Sequence, residues 1–117
     1  MFIHKQVAGL VSSMKGLVNN RNFADVVFVL GGERIYAHKV LLWAQCPYFK
    51  AMFESDMRES EKHAEIEITN WSAQAFMAFL EFLYTGRVPH DVKCELAIEL
   101  LGLADQYTLD SLKRKVK

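Results

Sequence analysis

The chain has 117 residues, enough for one domain with a core of its own and too few for two. About half are apolar and 12% are aromatic, which argues against disorder. Fourteen basic residues balance fourteen acidic ones, without the basic excess of a nucleic-acid binder. No apolar run approaches a membrane span. His4, Lys5 and Gln6 interrupt the start before a signal-peptide core can form. The two cysteines, Cys46 and Cys94, are too few for a disulfide framework and read as reduced thiols of the cytoplasm or nucleus.

In chain order, Ile3, Val7, Leu10, Val11, Met14, Leu17 and Val18 recur at helical spacing along one face. Gly9 and Gly16 weaken that helix by roughly 1 kcal/mol each against alanine, so it needs packing, either within its own subunit or on a second chain. Asn19–Asn22 is a loop. Asp25–Leu30 is rich in Val and Phe and reads as a buried strand. Gly31-Gly32 supplies a hairpin turn. Glu33–Ala37 returns, with Ile35 and Ala37 on one face and Arg34 and Tyr36 on the other. From His38 the period changes to helical, through Val40, Leu41, Leu42 and Ala44. The helix stops before Pro47, because the residue ahead of a proline avoids helical geometry. Pro47 then suits the first turn of the next helix, with Tyr48, Phe49, Met52 and Phe53 inward.

Glu54–Ala64 is polar, with Met57 alone among charges. Glu65–Thr69 alternates as a half-exposed strand with Ile66 and Ile68 inward. Ser72–Tyr84 is a helix with Phe76, Phe79, Leu80 and Leu83 inward, ended by Thr85-Gly86. Another helix is expected from Pro89-His90-Asp91, with Asp91 as its cap. Leu96, Ala97, Leu100, Leu101 and Ala104 surround it with apolar side chains, so it is expected to be central and buried. Thr108 can cap a last helix through Leu109, Leu112 and Val116, its terminal Lys113, Arg114, Lys115 and Lys117 complementing the helix dipole. A three-stranded sheet covered mainly by helices is an α+β arrangement.

Catalytic and metal chemistry is poorly supplied. His4, His38, His63 and His90 are scattered, and neither cysteine stands near one at ligand spacing. His38 reads as a hydrogen-bonded structural histidine. Cys46 beside Pro47 reads as a small core residue, the alternative being a reactive thiol at a helix start. Gly31-Gly32 lacks the further glycines and the lysine of a phosphate loop. The chain is accordingly expected to be no enzyme and to hold no metal or cofactor.

Five motifs in order resemble the BTB/POZ domain family: Phe23-Ala24-Asp25-Val26, Tyr36-Ala37-His38-Lys39-Val40-Leu41-Leu42, Tyr48-Phe49-Lys50-Ala51-Met52-Phe53, Phe82-Leu83-Tyr84-Thr85-Gly86 and Ala104-Asp105-Gln106-Tyr107. The stretch Met52-Phe53-Glu54-Ser55-Asp56-Met57-Arg58-Glu59-Ser60 is most similar to cullin-3 adaptors, including the MATH-BTB kind. The resemblance implies one domain over residues 1–117, with residues 1–20 a dimerisation helix and 23–117 a core in which a small three-stranded sheet is flanked by about six helices. It implies a homodimer packed through Leu10, Met14 and Leu17 across a two-fold axis, although the same face could pack only within its own subunit. Asp25 and Lys39 match an acid and a base that line a charged pocket near that interface; an ion pair tying the helix start to the strand is the equally open reading. Met57-Arg58-Glu59 matches the hydrophobic-x-Glu motif of cullin-3 adaptors, and Tyr107 matches a rim tyrosine that contacts the cullin. The partners implied are a second copy, cullin-3 and a substrate-binding domain in the parent chain, with neither nucleic acid nor membrane. Two alternatives stand beside the ubiquitin-ligase adaptor: corepressor recruitment in a transcription regulator, and a purely structural oligomerisation module.

Overall fold

The computed structural model describes residues 2–55, 64–89 and 93–107, with side chains described over 7–54, 64–89 and 93–107. Gly31 and Gly32 both take positive φ, 57° and 89°. Their turn has the hand that joins two antiparallel strands without splaying them. It connects β1 (Val26–Leu30) to β2 (Glu33–Ala37), with Phe28 opposite Ile35 and Val26 opposite Ala37. β3 (Ala64–Ile68) lies on the other side of β1 and runs parallel to it, Phe28 opposite Ile66, giving the order β2-β1-β3. Because side chains alternate along a strand, these registers put Val26, Phe28, Leu30, Ile35, Ala37 and Ala64 on one buried face. On the opposite face Arg34 reaches over β1 to Glu65, 3.1 Å away and solvent-exposed.

The helices cover the buried face. α2 (Lys39–Gln45) and α3 (Pro47–Ser55) follow β2, separated by the extended residue Cys46. Pro47 opens α3 as the missing N–H of proline permits. α4 (Ala73–Thr85) is bounded as its sequence suggests. The Ser72 hydroxyl accepts the Ala75 N–H at 3.1 Å, and Gly86, left-handed at φ 77°, donates its N–H to Phe82 O at 2.7 Å. Ser72 is itself gripped by α5 (Cys94–Gln106): its N–H and hydroxyl donate to the two carboxylate oxygens of Glu99. α1 (Phe2–Lys15) packs on α4.

The central helix is α4 and not α5. Ala75, Phe76, Ala78, Phe79, Leu80, Phe82, Leu83 and Tyr84 are all buried on it. α5 buries Leu100, Leu103 and Ala104, but Ile98 is 65% exposed. A helix with apolar residues all round was read as enclosed; here one side faces solvent. α5 also begins later than its sequence suggests. Lys93 holds the cap position without a side-chain bond, and Asp91 lies outside the described residues. The helix expected after Thr108 likewise lies outside them. Among the described residues the chain is therefore a three-stranded sheet with five helices, an α+β fold.

The core is an aromatic chain. Phe28 of β1 lies 5.8 Å from Phe49 of α3 and 4.7 Å from Phe76 of α4, and Phe76 lies 5.6 Å from Phe79. All four rings are fully buried, each stabilising the fold by about 2–3 kcal/mol through lost apolar hydration.

Candidate functional site

The outer face of α1 is the first candidate surface. Val7 is 47% exposed and Leu10 62% exposed. Met14 and Leu17 are half-buried, and Leu17 and Val18 pack against the core. The expected seam of Leu10, Met14 and Leu17 therefore divides: its first member stands out in solvent, and its last is partly committed to the subunit's own core.

The loop from Asn19 to Asp25 continues directly from α1 and is held at almost every residue. Asn19 is left-handed (φ 53°), and its Oδ1 accepts the Tyr36 N–H of β2 at 2.9 Å. Asn20 bonds back to the turn that follows α1, its Nδ2 donating to Gly16 O at 3.0 Å and its N–H to Leu17 O at 3.2 Å. The Asn22 N–H donates to Asn20 Oδ1 at 2.9 Å, and the Ala24 N–H to Arg21 O at 3.1 Å. The Arg21 guanidinium sits 5.2 Å from the centre of the Tyr36 ring. Within this pinned loop Phe23 has φ 61° and is 96% exposed. Left-handed geometry is natural for glycine or asparagine, but on a phenylalanine it costs about 1–2 kcal/mol.

Beneath the loop lies a buried polar knot. His38, 6% exposed, places Nε2 2.8 Å from Asn22 O and Nδ1 2.8 Å from the Tyr84 hydroxyl. A carbonyl only accepts, so Nε2 carries the ring proton and Nδ1 accepts from the Tyr84 O–H. The Tyr84 oxygen in turn accepts the backbone N–H of His38 at 2.9 Å. Burial pushes the Tyr84 phenol far above its ordinary range, with the His38 N–H partly offsetting it. His38 is thus the structural histidine its neighbours suggest. Beside it, Asp25 Oδ1 accepts the backbone N–H of Lys39 at 2.8 Å. The acid from the β1 approach satisfies a first-turn donor of α2 for which His38, at the cap position, offers no side-chain bond. The bond joining Asp25 to Lys39 is therefore made by the lysine backbone, while the Lys39 ammonium lies 5.7 Å from the centre of the Phe53 ring.

The second candidate surface lies along α3. Of the residues expected to meet the cullin, Met57 and Glu59 lie outside the described residues. Tyr107, expected on the rim, is 2% exposed. Its ring stacks on Phe49 at 5.0 Å and 18°, lies 5.2 Å from Phe79, and is capped edge-on by Tyr48 at 4.7 Å and 87°. Three helices converge there, so the ring is a core residue; burial pushes its phenol up to about 12. Tyr48, 39% exposed, is the ring of this cluster that reaches solvent. Cys46 is buried, with Sγ 3.7 Å from Tyr107 O, and burial raises its thiol pKa. That fits a packing cysteine. Trp43, 40% exposed, bridges α2 to α3: its indole N–H donates to Glu54 at 2.8 Å and Lys50 lies 4.8 Å from its ring centre.

Among the described residues no three His, Cys, Asp or Glu side chains converge on a metal position, and no helix is long and apolar enough to cross a membrane. A cavity of about 420 Å³ between the starts of α4 and α5 is lined by Gln74, Lys93, Glu95, Leu96 and Glu99; Glu99 is occupied with Ser72. The surface features that sequence reasoning missed are Phe23 and Tyr48. The asparagine run beside Phe23 signals left-handed geometry, but nothing local says that a phenylalanine will adopt it.

A family model described as the BTB/POZ domain matches residues 14–117. An Arabidopsis thaliana protein named ARM repeat protein interacting with ABF2 is 41% identical over 97 residues, covering 83% of this chain and 13% of that protein. Mouse TD and POZ domain-containing protein 1 is 39% identical over 104 residues, 89% of this chain and 28% of its own. Human BTB/POZ domain-containing protein 9 is 39% identical over 98 residues, 83% and 16%. The chain thus spans less than a third of the relatives it matches. Among solved structures, the BTB domain of zebrafish PATZ1 superposes with a TM-score of 0.71 at 26% identity, over 96% of this chain and 85% of that one. The BTB domain of human gigaxonin shares the fold, with a TM-score of 0.73 at 22% identity over 96% and 88%.

Proposed function

The chain belongs to the BTB/POZ domain family, and from that premise we propose that it is a homodimeric adaptor, the cullin-3-binding part of a ubiquitin-ligase substrate receptor. The α1 face pairs with a second copy, and the α3 side meets the cullin. The outward Val7 and Leu10 carry the first half of this reading. An apolar row left in water on a helix that already packs on its own subunit is a surface awaiting a partner, and a row that meets its own copy suits two-fold symmetry.

The second half is supported by Met57-Arg58-Glu59, which follows α3 in the sequence, and by Tyr48 at the start of that helix. A flexible thioether can enter an apolar cleft, and a half-exposed tyrosine offers area with a polar handle. Tyr107 then acts from beneath, by fixing Tyr48. Asp25 holds the start of α2, close to the loop that leaves α1. The adaptor works in the cytoplasm or nucleus, forms no bonds itself, and holds a substrate-binding domain from elsewhere in the parent chain. Dimerisation doubles the number of such domains and raises effective concentration.

Calorimetric titration with the cullin-3 N-terminal domain tests the assignment. Met57→Glu combined with Tyr48→Ala is expected to weaken binding by roughly tenfold or more while the light-scattering mass stays dimeric. Binding as tight as that of the unmodified chain overturns the cullin site, and a monomer at micromolar protein overturns the α1 seam.

A further inference from the structure

We propose that the free edge of β3 is a docking site for an extended peptide whose residues alternate between apolar and basic. The site uses neither the α1 face nor the α3 side, so it stands or falls apart from the adaptor reading. The sheet order β2-β1-β3 leaves two edges, and the register fixes what each presents. The Tyr36 N–H donates to Asn19 Oδ1 and so points away from β1. Val27, opposite Tyr36, therefore sits in a pair without mutual bonds and turns its N–H and C=O toward β3. Two residues on, Val29 does the same. Val27 lies opposite Glu65 and Val29 opposite Glu67 in the parallel pairing, so Ala64, Ile66 and Ile68 supply the peptide groups that face β1. The N–H and C=O groups of Glu65 and Glu67 are left on the outer edge, where none of the described residues bonds to them. On β2 the outer edge is plugged at Tyr36 by the Asn19 side chain. An unplugged row of amides and carbonyls is a template for another strand.

Side chains choose the occupant. Along an added strand they alternate between the two faces of the sheet. On the solvent face the newcomer meets Glu65 and Glu67, both exposed. Arg34 pairs with Glu65 at 3.1 Å, and no described cation pairs with Glu67. On the core face it meets Ile66 and Ile68, half-buried side chains packed against the core, whose remaining surface an apolar neighbour would cover. Basic residues on one face and apolar residues on the other thus complement the whole edge. A second copy of the same edge fails that requirement, because it sets glutamates beside glutamates. The acidic row excludes self-pairing and admits a basic strand. In such a complex backbone bonds supply the affinity and alternate side chains the specificity.

Titration of the whole chain with a fluorescent peptide of about eight alternating valine and lysine residues tests this, with hydrogen exchange read residue by residue. The peptide is expected to bind and to slow exchange at the Glu65 and Glu67 amides. A fully N-methylated version keeps every charge but has no backbone N–H to give, and it leaves the protein untouched. That peptide, and separately Glu67→Lys in the protein, are each expected to raise the dissociation constant by roughly tenfold or more. Replacing the lysines of the peptide with glutamate should do the same. No binding up to millimolar peptide overturns the site. Binding of the N-methylated peptide within about twofold of its parent shows attraction by charge alone and overturns strand addition. Equal binding of the glutamate peptide overturns the assigned chemistry, and slowed exchange at Arg34 in place of Glu65 and Glu67 overturns the choice of edge.

Discussion

The two tyrosine-and-phenylalanine regions of this molecule are built in opposite ways. At the α3–α4–α5 junction, Phe49, Phe79 and Tyr107 close on one another until each is 2% exposed or less. At the α1–β1 loop the backbone is fixed as firmly, yet Phe23 stands in water. At the junction, rings from three helices satisfy one another within the subunit. In the loop, hydrogen bonds do the holding and the ring is left over. The difference separates rings that hold the fold together from a ring that its own subunit leaves uncovered, and it warns that an aromatic residue matched to a partner contact can lie on the folding side of that line, as Tyr107 does.

Three perturbations probe that division. The largest effect is expected from Tyr107→Ala, which empties the junction and should cost about 3–5 kcal/mol of stability, read as a lower denaturation midpoint. If stability is unchanged while cullin binding is lost, the junction is a contact surface after all. Next is Tyr84→Phe. It strips the hydroxyl from the knot under the loop, leaving the His38 N–H and Nδ1 without their partner, at a cost of about 1–3 kcal/mol. Hydrogen exchange at Asn22–Ala24 should quicken in that variant; unaltered exchange would mean the loop is held without the knot.

The smallest effect is alkaline. Burial raises the Tyr107 phenol from 10.0 to about 12, so between those values the unfolded chain ionises while the folded one does not. Stability from this group is whole below pH 10 and is lost as pH climbs toward 12. At pH 11 Tyr107→Phe should retain about 1 kcal/mol that the unmodified chain loses relative to pH 8. Equal losses in the two proteins would place the phenol in solvent.

Much of the fold was legible because local chemistry dictated it. Gly31-Gly32 could hardly be anything but a turn, and Ser72 and Gly86 bracket α4 by ordinary capping. Alternation along Glu33–Ala37 assigned Ile35 and Ala37 to the inner face, where they lie. What escaped depended on distant segments. Tyr107 is buried by rings more than twenty residues away in sequence. α5 could be read as central because apolar residues surround it, but only the placement of α4 decides which side is covered, and Ile98 was left outside. The bond from Asp25 reaches a backbone N–H, whereas residue types suggested a side-chain pair. The candidate site was read from the family likeness: Leu10 lies on the surface, Met14 and Leu17 are half-buried, and nothing in the motif that contains Phe23 marks its ring as exposed.

The parallel pairing of β1 with β3 has a consequence for how the chain folds. The β1–β2 hairpin is closed by two residues and can form within about 1–10 μs. The other edge of β1 waits for β3, which comes after β2, α2 and α3 in the chain. Pairing so distant in sequence is slow, because the loop must close before its contacts repay it. During synthesis at about 5–20 residues per second, β1 therefore spends seconds with one row of amides and carbonyls unpaired. That edge is the place where a holding chaperone, or a second nascent chain, would find this protein first.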